Sequence, residues 1–308
     1  MRALAAFVLS GRGQAALVAG AFALLSFLLP PAGYLAAAVV GLVTLRQGWL
    51  AGAATGLLAG VGAGVLSALA LGTAFPVLVL AGLLWLPVWL MAQVLRRIPS
   101  QGFAISLAGV AGSGVVVLMY ALPGSPADRW RALLEGTVVP MLAEQGIALD
   151  AEVLQRVAEV MTGVIAAASV LGASASLFLA RWWQSLLFNP GGFGAEFRAL
   201  RVDRWLAYGT VLVLAALVLL AAPARRPAAE LLLVALVIYT IQGLAVAHAL
   251  LGARRGGGGW LAALYVGLAL LWPYPLLVLG AVGLVDTWVD FRARGGRSRP
   301  PAVRNTDS

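Results

Sequence analysis

The sequence predicts an all-α fold: a polytopic transmembrane helical bundle of about eight to ten membrane segments, with short proline-broken hairpins near both ends. Three observations carry this. The 308 residues are 62% apolar and 11% charged, against roughly 25% charged in soluble domains. Apolar runs of about 17–25 residues, the length that crosses a bilayer, recur along the chain. Residues 48 to 72 carry a small side chain at every fourth position: Gly48, Gly52, Gly56, Gly60, Gly64, Ala68 and Gly72. In water each such glycine costs a helix about 0.8–1 kcal/mol relative to Ala. In hydrocarbon the backbone must satisfy itself, so helix is the default, and small residues let two helices approach closely. Four residues turn about 400°, so the ridge winds about 40° per step and suits a right-handed crossing. The expected partners are other helices of the same chain, over 14–29, 103–122 and 160–180, and Gly56→Leu or Gly60→Leu is expected to disrupt folding.

The elements follow in order. A helix over 14–29 stops at Pro30-Pro31-Ala32-Gly33, and one over 34–45 is only 12 residues long, roughly 18 Å, too short to span about 30 Å alone. The glycine helix covers 48–71. Further helices are expected over 75–95, ending at Arg96-Arg97, and over 103–122. A polar insertion occupies 123–159, and helices resume over 160–180, 205–222 and 228–252. The last apolar stretch, 260–285, is interrupted by Trp272-Pro273-Tyr274-Pro275. This divides the chain into N-terminal helices (1–122), an extracytoplasmic amphipathic hairpin (123–159), C-terminal helices with a cytoplasmic loop at 181–204 (160–292) and a disordered basic tail (293–308).

Arginine placement decides how the last stretch is counted. All 21 basic residues are Arg. With a cytoplasmic N-terminus and a hairpin over 260–291, five (Arg129, Arg131, Arg156, Arg225, Arg226) lie outside and the other sixteen inside. One kinked span would move the tail outside and nearly equalise the two sides. The positive-inside rule favours the hairpin, ten segments and both termini in the cytoplasm. Arg225 and Arg226 are exceptions under either count. Arg12 splits the first apolar stretch, and no small-residue cleavage site precedes a soluble domain, so no cleavable signal peptide is expected. The +9 charge sits at helix ends, which points to lipid headgroups and not to nucleic acid.

Three polar regions stand out. Within 123–159, Ser125-Pro126 reads as the start of a helix with Asp128 near its positive end. Trp130, Leu133, Leu134, Val138 and Met141 fall near one face, and Pro140 should bend or end the helix. Asp150 caps a second helix continuous with the next span. The hairpin is either a lid or docking surface, or an interfacial element lying on the bilayer. The inner loop 181–205 holds Arg181-Trp182-Trp183-Gln184, Asn189-Pro190-Gly191-Gly192-Phe193-Gly194, Glu196-Phe197-Arg198 and Arg201. Its aromatic and Arg clusters suit a headgroup belt or a docking site for a protein partner, making Arg181, Trp182, Trp183, Phe193, Arg198 and Arg201 candidate contacts. Asp286 and Asp290 oppose the dipole at a helix C-terminus, so they read as a candidate ion-pair set. Asp290 reaches Arg294 at i+4, and Asp286 meets an Arg from another loop; cation or proton coupling is the sharper alternative.

Little supports catalysis. Cysteine is absent and there is one histidine, so neither thiol chemistry nor a His/Cys metal set is available. No HExxH, GxSxG or Ser-Lys pair is found, and the glycines of 191–194 lack the Lys-Ser/Thr of a phosphate loop. No enzyme activity, cofactor or metal is expected. His248, Tyr239 and Gln242 do not share one face, and His248 reads as a packing residue.

The inner-loop run from Arg181 to Arg198, together with Asp286-Thr287-Trp288-Val289-Asp290-Phe291-Arg292, resembles the YybS-like family of bacterial polytopic membrane proteins. That resemblance spans most of the chain and implies an address, the bacterial inner membrane. More remotely, the first six helices are similar to substrate-binding subunits of energy-coupling-factor transporters, which meet a partner through a small-xxx-small face; here Ala15, Ala19 and Ala23 have that spacing. The present chain differs in its short first turn and its four extra segments. Two functions stay open: transport-type binding or translocation of a small solute, with or without a partner subunit, and a non-enzymatic scaffold or assembly factor acting through 181–205 and the outer hairpin.

Overall fold

A computed structural model describes residues 1–221, 224–254 and 256–296. Every regular element among them is a helix. A short α1 (Arg2–Leu9), not foreseen from the sequence, packs on the chain through the fully buried Ala5 and Val8. The first broken hairpin is α2 (Arg12–Leu25) and α3 (Ala32–Gln47), turned at Pro30-Pro31. The glycine helix α4 (Trp49–Leu71) follows, ended by Gly72 in a left-handed conformation (φ 74°) that suits glycine. Then come α5 (Phe75–Arg97) and α6 (Gln101–Ala121).

The outer hairpin is helical as expected. In α7 (Pro126–Glu144), Pro140 sits inside the helix without ending it. The next helix, α8 (Ala151–Phe188), is continuous for 38 residues, roughly 57 Å at 1.5 Å per residue and far longer than a bilayer core. Asp150 caps it by accepting the Glu152 N–H at 2.6 Å. The chain continues through the short α9 (Gly192–Arg198), α10 (Arg204–Leu219) and α11 (Arg225–Gly252). The second broken hairpin is α12 (Gly257–Leu270) and α13 (Tyr274–Val289). A last helix, α14 (Phe291–Gly296), occupies the start of the expected basic tail; the rest of that tail lies outside the described residues.

Five helices are long and apolar enough to cross a membrane, and five shorter apolar helices, α2, α3, α10, α12 and α13, accompany them. The bundle is therefore a polytopic membrane protein. Its outer surface is apolar, with Leu69 of α4, Leu212 of α10 and Leu270 of α12 all more than 70% exposed. Its centre is α3, the helix too short to span alone: twelve of its sixteen residues are buried, enclosed by α2, α4, α5 and α8. Its Ala, Gly and Val side chains permit that crowding. Lipid tails are as apolar as Leu, so close packing, rather than expulsion from water, holds such helices together.

Of the three partners expected for the glycine ridge, the helix over 14–29 (here α2) is borne out and the other two are not. α4 packs on α2, α3 and α5 at the edge of the bundle, not on α6 or α8. Its tight point is Gly52, where a Cβ would lie 1.9 Å from Thr44 Oγ1. Gly56 and Gly60 face Trp85 with ordinary contact room for a Cβ, at 3.6 Å or more. Gly48 adopts φ 99° between α3 and α4, and Gly64 meets Ala74. The face formed by Ala15, Ala19 and Ala23 is buried inside the chain, since α2 uses it against α3 and α4. It does not present itself to a partner subunit.

Candidate functional site

The two breaks in the first half of the chain open a cavity. α2 ends at Leu25, and Pro30 and Pro31 lead into α3, which leaves Tyr34 on the first turn of α3 as part of the cavity wall. α5 passes one π turn at Ala81–Trp85, a bulge that re-aims side chains and recurs at functional positions. On one side of that turn Leu84 points to the cavity; on the other the buried Trp85 meets the ridge of α4. The third wall is α8, through Ile165, Ala168 and Ser169. The space is open-sided and of about 570 Å³, a volume within the range of small-molecule sites. Ser26, Tyr34 and Ser169 supply hydroxyls among apolar walls, and no charged side chain lines it. Gly172 lets the Tyr34 ring lie on α8, because a Cβ there would come within 2.6 Å of Tyr34 Cε1.

At the opposite end, the chain between α9 and α10 enters the bundle as an extended segment. Leu200 and Val202 are buried, and Gly102 of α6 makes room, since a Cβ there would lie 1.6 Å from the Arg201 carbonyl oxygen. Non-helical backbone at such a place must be satisfied by protein. The Val202 N–H donates to Gln242 Oε1 at 2.8 Å, and the Asp203 N–H to Ser106 Oγ at 3.3 Å. Arg292 Nη1 donates to the carbonyls of Arg198 and Leu200 at 2.9 and 2.8 Å. Arg292 also pairs with Asp286 at 2.5 Å, both well buried, while Gln242 donates to Asp286 Oδ2 at 3.1 Å. One network thus joins α6, α11, α13 and the inserted segment.

Most candidate residues of the 181–205 region are engaged within the chain, while the Arg198 side chain is exposed. Residues 181–188 belong to α8, not to a loop. Trp183 is fully buried and is not a headgroup or docking contact; the helix runs eight residues, about two turns, beyond the expected end at 180 and turns this ring into the core. Arg181 pairs with Glu196 of α9, which also accepts from Gln101 at 3.1 Å. Phe193 stacks with Phe178 and Phe197 at 6.0 Å from each. Trp182 is half-buried against the core, and the Arg198 carbonyl serves Arg292.

Both aspartates are ion-paired, but Asp286 takes Arg292, six residues on, where an Arg from another loop was expected, and Asp290 takes Arg201 in addition to any reach toward the expected Arg294. Asp290 is held by Arg201 across 89 residues, not only by its own helix. That bond, with the Ala293 N–H, keeps its carboxyl below the usual carboxylate range. His248 Nε2 lies 3.2 Å from the Tyr265 hydroxyl and Nδ1 faces the Leu244 carbonyl, a packing role. Gln242, noted in the sequence but given no role, is fully buried at the centre of this network; an amide in the middle of a membrane-length helix was its only sequence signal.

A protein-family model described as "Predicted membrane protein (DUF2232)" matches residues 134–287, half of the chain. The chain belongs to this family. The matched region runs from α7 to the end of α13 and takes in Gln242 and Asp286. Tyr34, the glycine ridge and Arg292 lie beyond it. No curated protein and no solved structure matches.

Proposed function

We propose that this membrane protein is of transport type and takes a small, uncharged, amphipathic solute into the cavity at Tyr34. The observation that carries the reading is the coincidence of two helix breaks, the Pro30-Pro31 turn and the π turn of α5, on one cavity of about 570 Å³. Broken helices free backbone groups for ligands inside membranes and provide the give that gating needs. A second cleft of about 600 Å³ lies between α6, α10 and α11. Its walls are unbroken helices, so it reads as a groove for a lipid chain. The solute is uncharged because the cavity wall has hydroxyls and no ion. The bacterial inner membrane, with the Arg-rich end inside, is the setting this reading adopts. The scaffold alternative draws less support, because Arg181, Trp183 and Arg201 are already committed within the chain.

The test is a thermal-stabilisation screen of neutral metabolites on the purified protein, followed by flux in reconstituted vesicles. A compound that stabilises the wild type but not Ala168→Trp, which fills the cavity, is the expected result. No stabilising compound and no flux would overturn the proposal.

A further inference from the structure

Two acids among the described residues are buried in the bundle. Asp286, 1% exposed, has Arg292. Glu230, 3% exposed, has no arginine among the ion pairs of the described residues. It sits on the second turn of α11, pressed against Gly163 of α8, where a Cβ would come within 2.7 Å of its own Cβ. Its Oε1 accepts the Tyr120 hydroxyl at 3.0 Å. Its Oε2 is buried without a hydrogen-bond partner. A lone carboxylate in that setting carries a desolvation cost of several kcal/mol unless something neutralises it.

The neutralising species has a route. A cavity of about 470 Å³ lies under the N-terminus of α7, and Tyr120, Glu159 and Arg226 are on its wall. Of the charged groups on the surrounding helices, Asp128 of α7 is exposed to solvent, and the others near the cavity are engaged within the chain. Arg226 of α11 is bound to Glu159 of α8 at 3.0 Å. Arg129 of α7 donates to the carbonyls of Pro123 and Met119. Tyr120 of α6 alone both touches the cavity and bonds the buried carboxyl.

We propose that Glu230 is a proton-binding site, loaded from this cavity through the Tyr120 hydroxyl. A hydronium ion reaching the cavity from solvent gives its proton to Tyr120 Oη and leaves as water, while the tyrosine's own proton passes to Glu230 Oε1. Tyrosine ends neutral and the carboxylate ends as a carboxylic acid, so one positive charge has entered from solvent. The acid form leaves a carbonyl oxygen at Oε2 without a partner, which costs far less than an orphan carboxylate oxygen. A metal ion would need more ligands than one carboxyl and a phenol, and Glu159 is held by Arg226. The site goes beyond the solute-binding reading and stands whether or not a solute is found. Intramembrane acids commonly lie on proton routes. The same stretch of α8 that meets Glu230, at Gly163, reaches the Tyr34 cavity at Ser169.

The experiment is infrared difference spectroscopy of the full-length protein in lipid nanodiscs, titrated in pH and, separately, in sodium at fixed pH. The expected result is a protonated-carboxyl band that titrates with pH, is lost in Glu230→Gln, and titrates at a displaced pH in Tyr120→Phe. Sodium leaves it unchanged. Persistence of the band in Glu230→Gln, a response to sodium, or an unaltered titration in Tyr120→Phe would each overturn the proposal. Should Glu230→Gln fail to fold, the Tyr120→Phe displacement and the sodium arm still decide it.

Discussion

Asp286 and Arg292 form the one ion pair of the described residues in which both side chains are nearly out of solvent, at 0% and 11% exposure. Removing one member of a buried pair strands a charge, at a cost of about 3–5 kcal/mol. Arg292→Ala does more, since it also releases the carbonyls of Arg198 and Leu200. We therefore expect Arg292→Ala and Asp286→Ala to lower the unfolding temperature in detergent sharply; a midpoint like that of the wild type would refute the role. Arg201→Gln should do little, because the Asp290 pair is exposed. What it changes is pH dependence. The folded Asp290 carboxyl lies below its unfolded value, so its contribution is present above the ordinary carboxylate range and disappears as pH falls through the lowered value. Wild type and Arg201→Gln should differ slightly at neutral pH and converge in acid. That both aspartates are paired was legible from their place at a helix C-terminus. Their partners were not, because Arg201 is 89 residues from Asp290 and only the inserted segment brings them together.

The helices themselves were readable, since apolar run length and proline, glycine and arginine punctuation mark them. The boundaries of the α2–α6 helices agree closely with those expected. The amphipathic α1 was overlooked because eight residues make no membrane-length run, and the last turns of α8 were mistaken for loop because Arg-Trp-Trp-Gln resembles an interfacial belt. Nor does spacing reveal which glycines matter. The tightest helix-on-helix backbone crossing is between α11 and α13: a Cβ on Gly243 would lie 2.0 Å from the Leu279 carbonyl oxygen, and one on Gly283 2.0 Å from that of Tyr239. Backbone cannot step aside as a side chain can. Gly243→Ala and Gly283→Ala should abolish monodisperse protein, judged by size-exclusion chromatography. Gly62→Ala and Gly114→Ala, which meet nothing within 4 Å, should be neutral or slightly stabilising through the better helix propensity of Ala. On the ridge, Gly52→Ala should be damaging and Gly56→Ala tolerated; the reverse order would refute the packing described for α4.

Across the whole molecule, the two broken hairpins and the long α8 set the architecture. The α12–α13 turn lies between two short apolar helices, which places the bulk of the arginines at the end that holds the inserted segment. Arg226, an exception to that asymmetry, is held by Glu159 at the other end. The absence of cysteine makes this topology measurable with single introduced thiols. Cysteines placed at Arg254 and Arg294 should react with an impermeant reagent from the same face of oriented vesicles, opposite to one at Arg131; labelling at Arg294 from the Arg131 face would break the ten-segment count. The same background tests the central claim, that the space at Tyr34 is a solute site. Ser169→Cys should react with an impermeant thiol reagent from the face that carries the Pro30-Pro31 turn, and a compound that stabilises the protein should slow that reaction. A Ser169→Cys thiol that stays unreactive, or that reacts at the same rate with every stabilising compound bound, would contradict it.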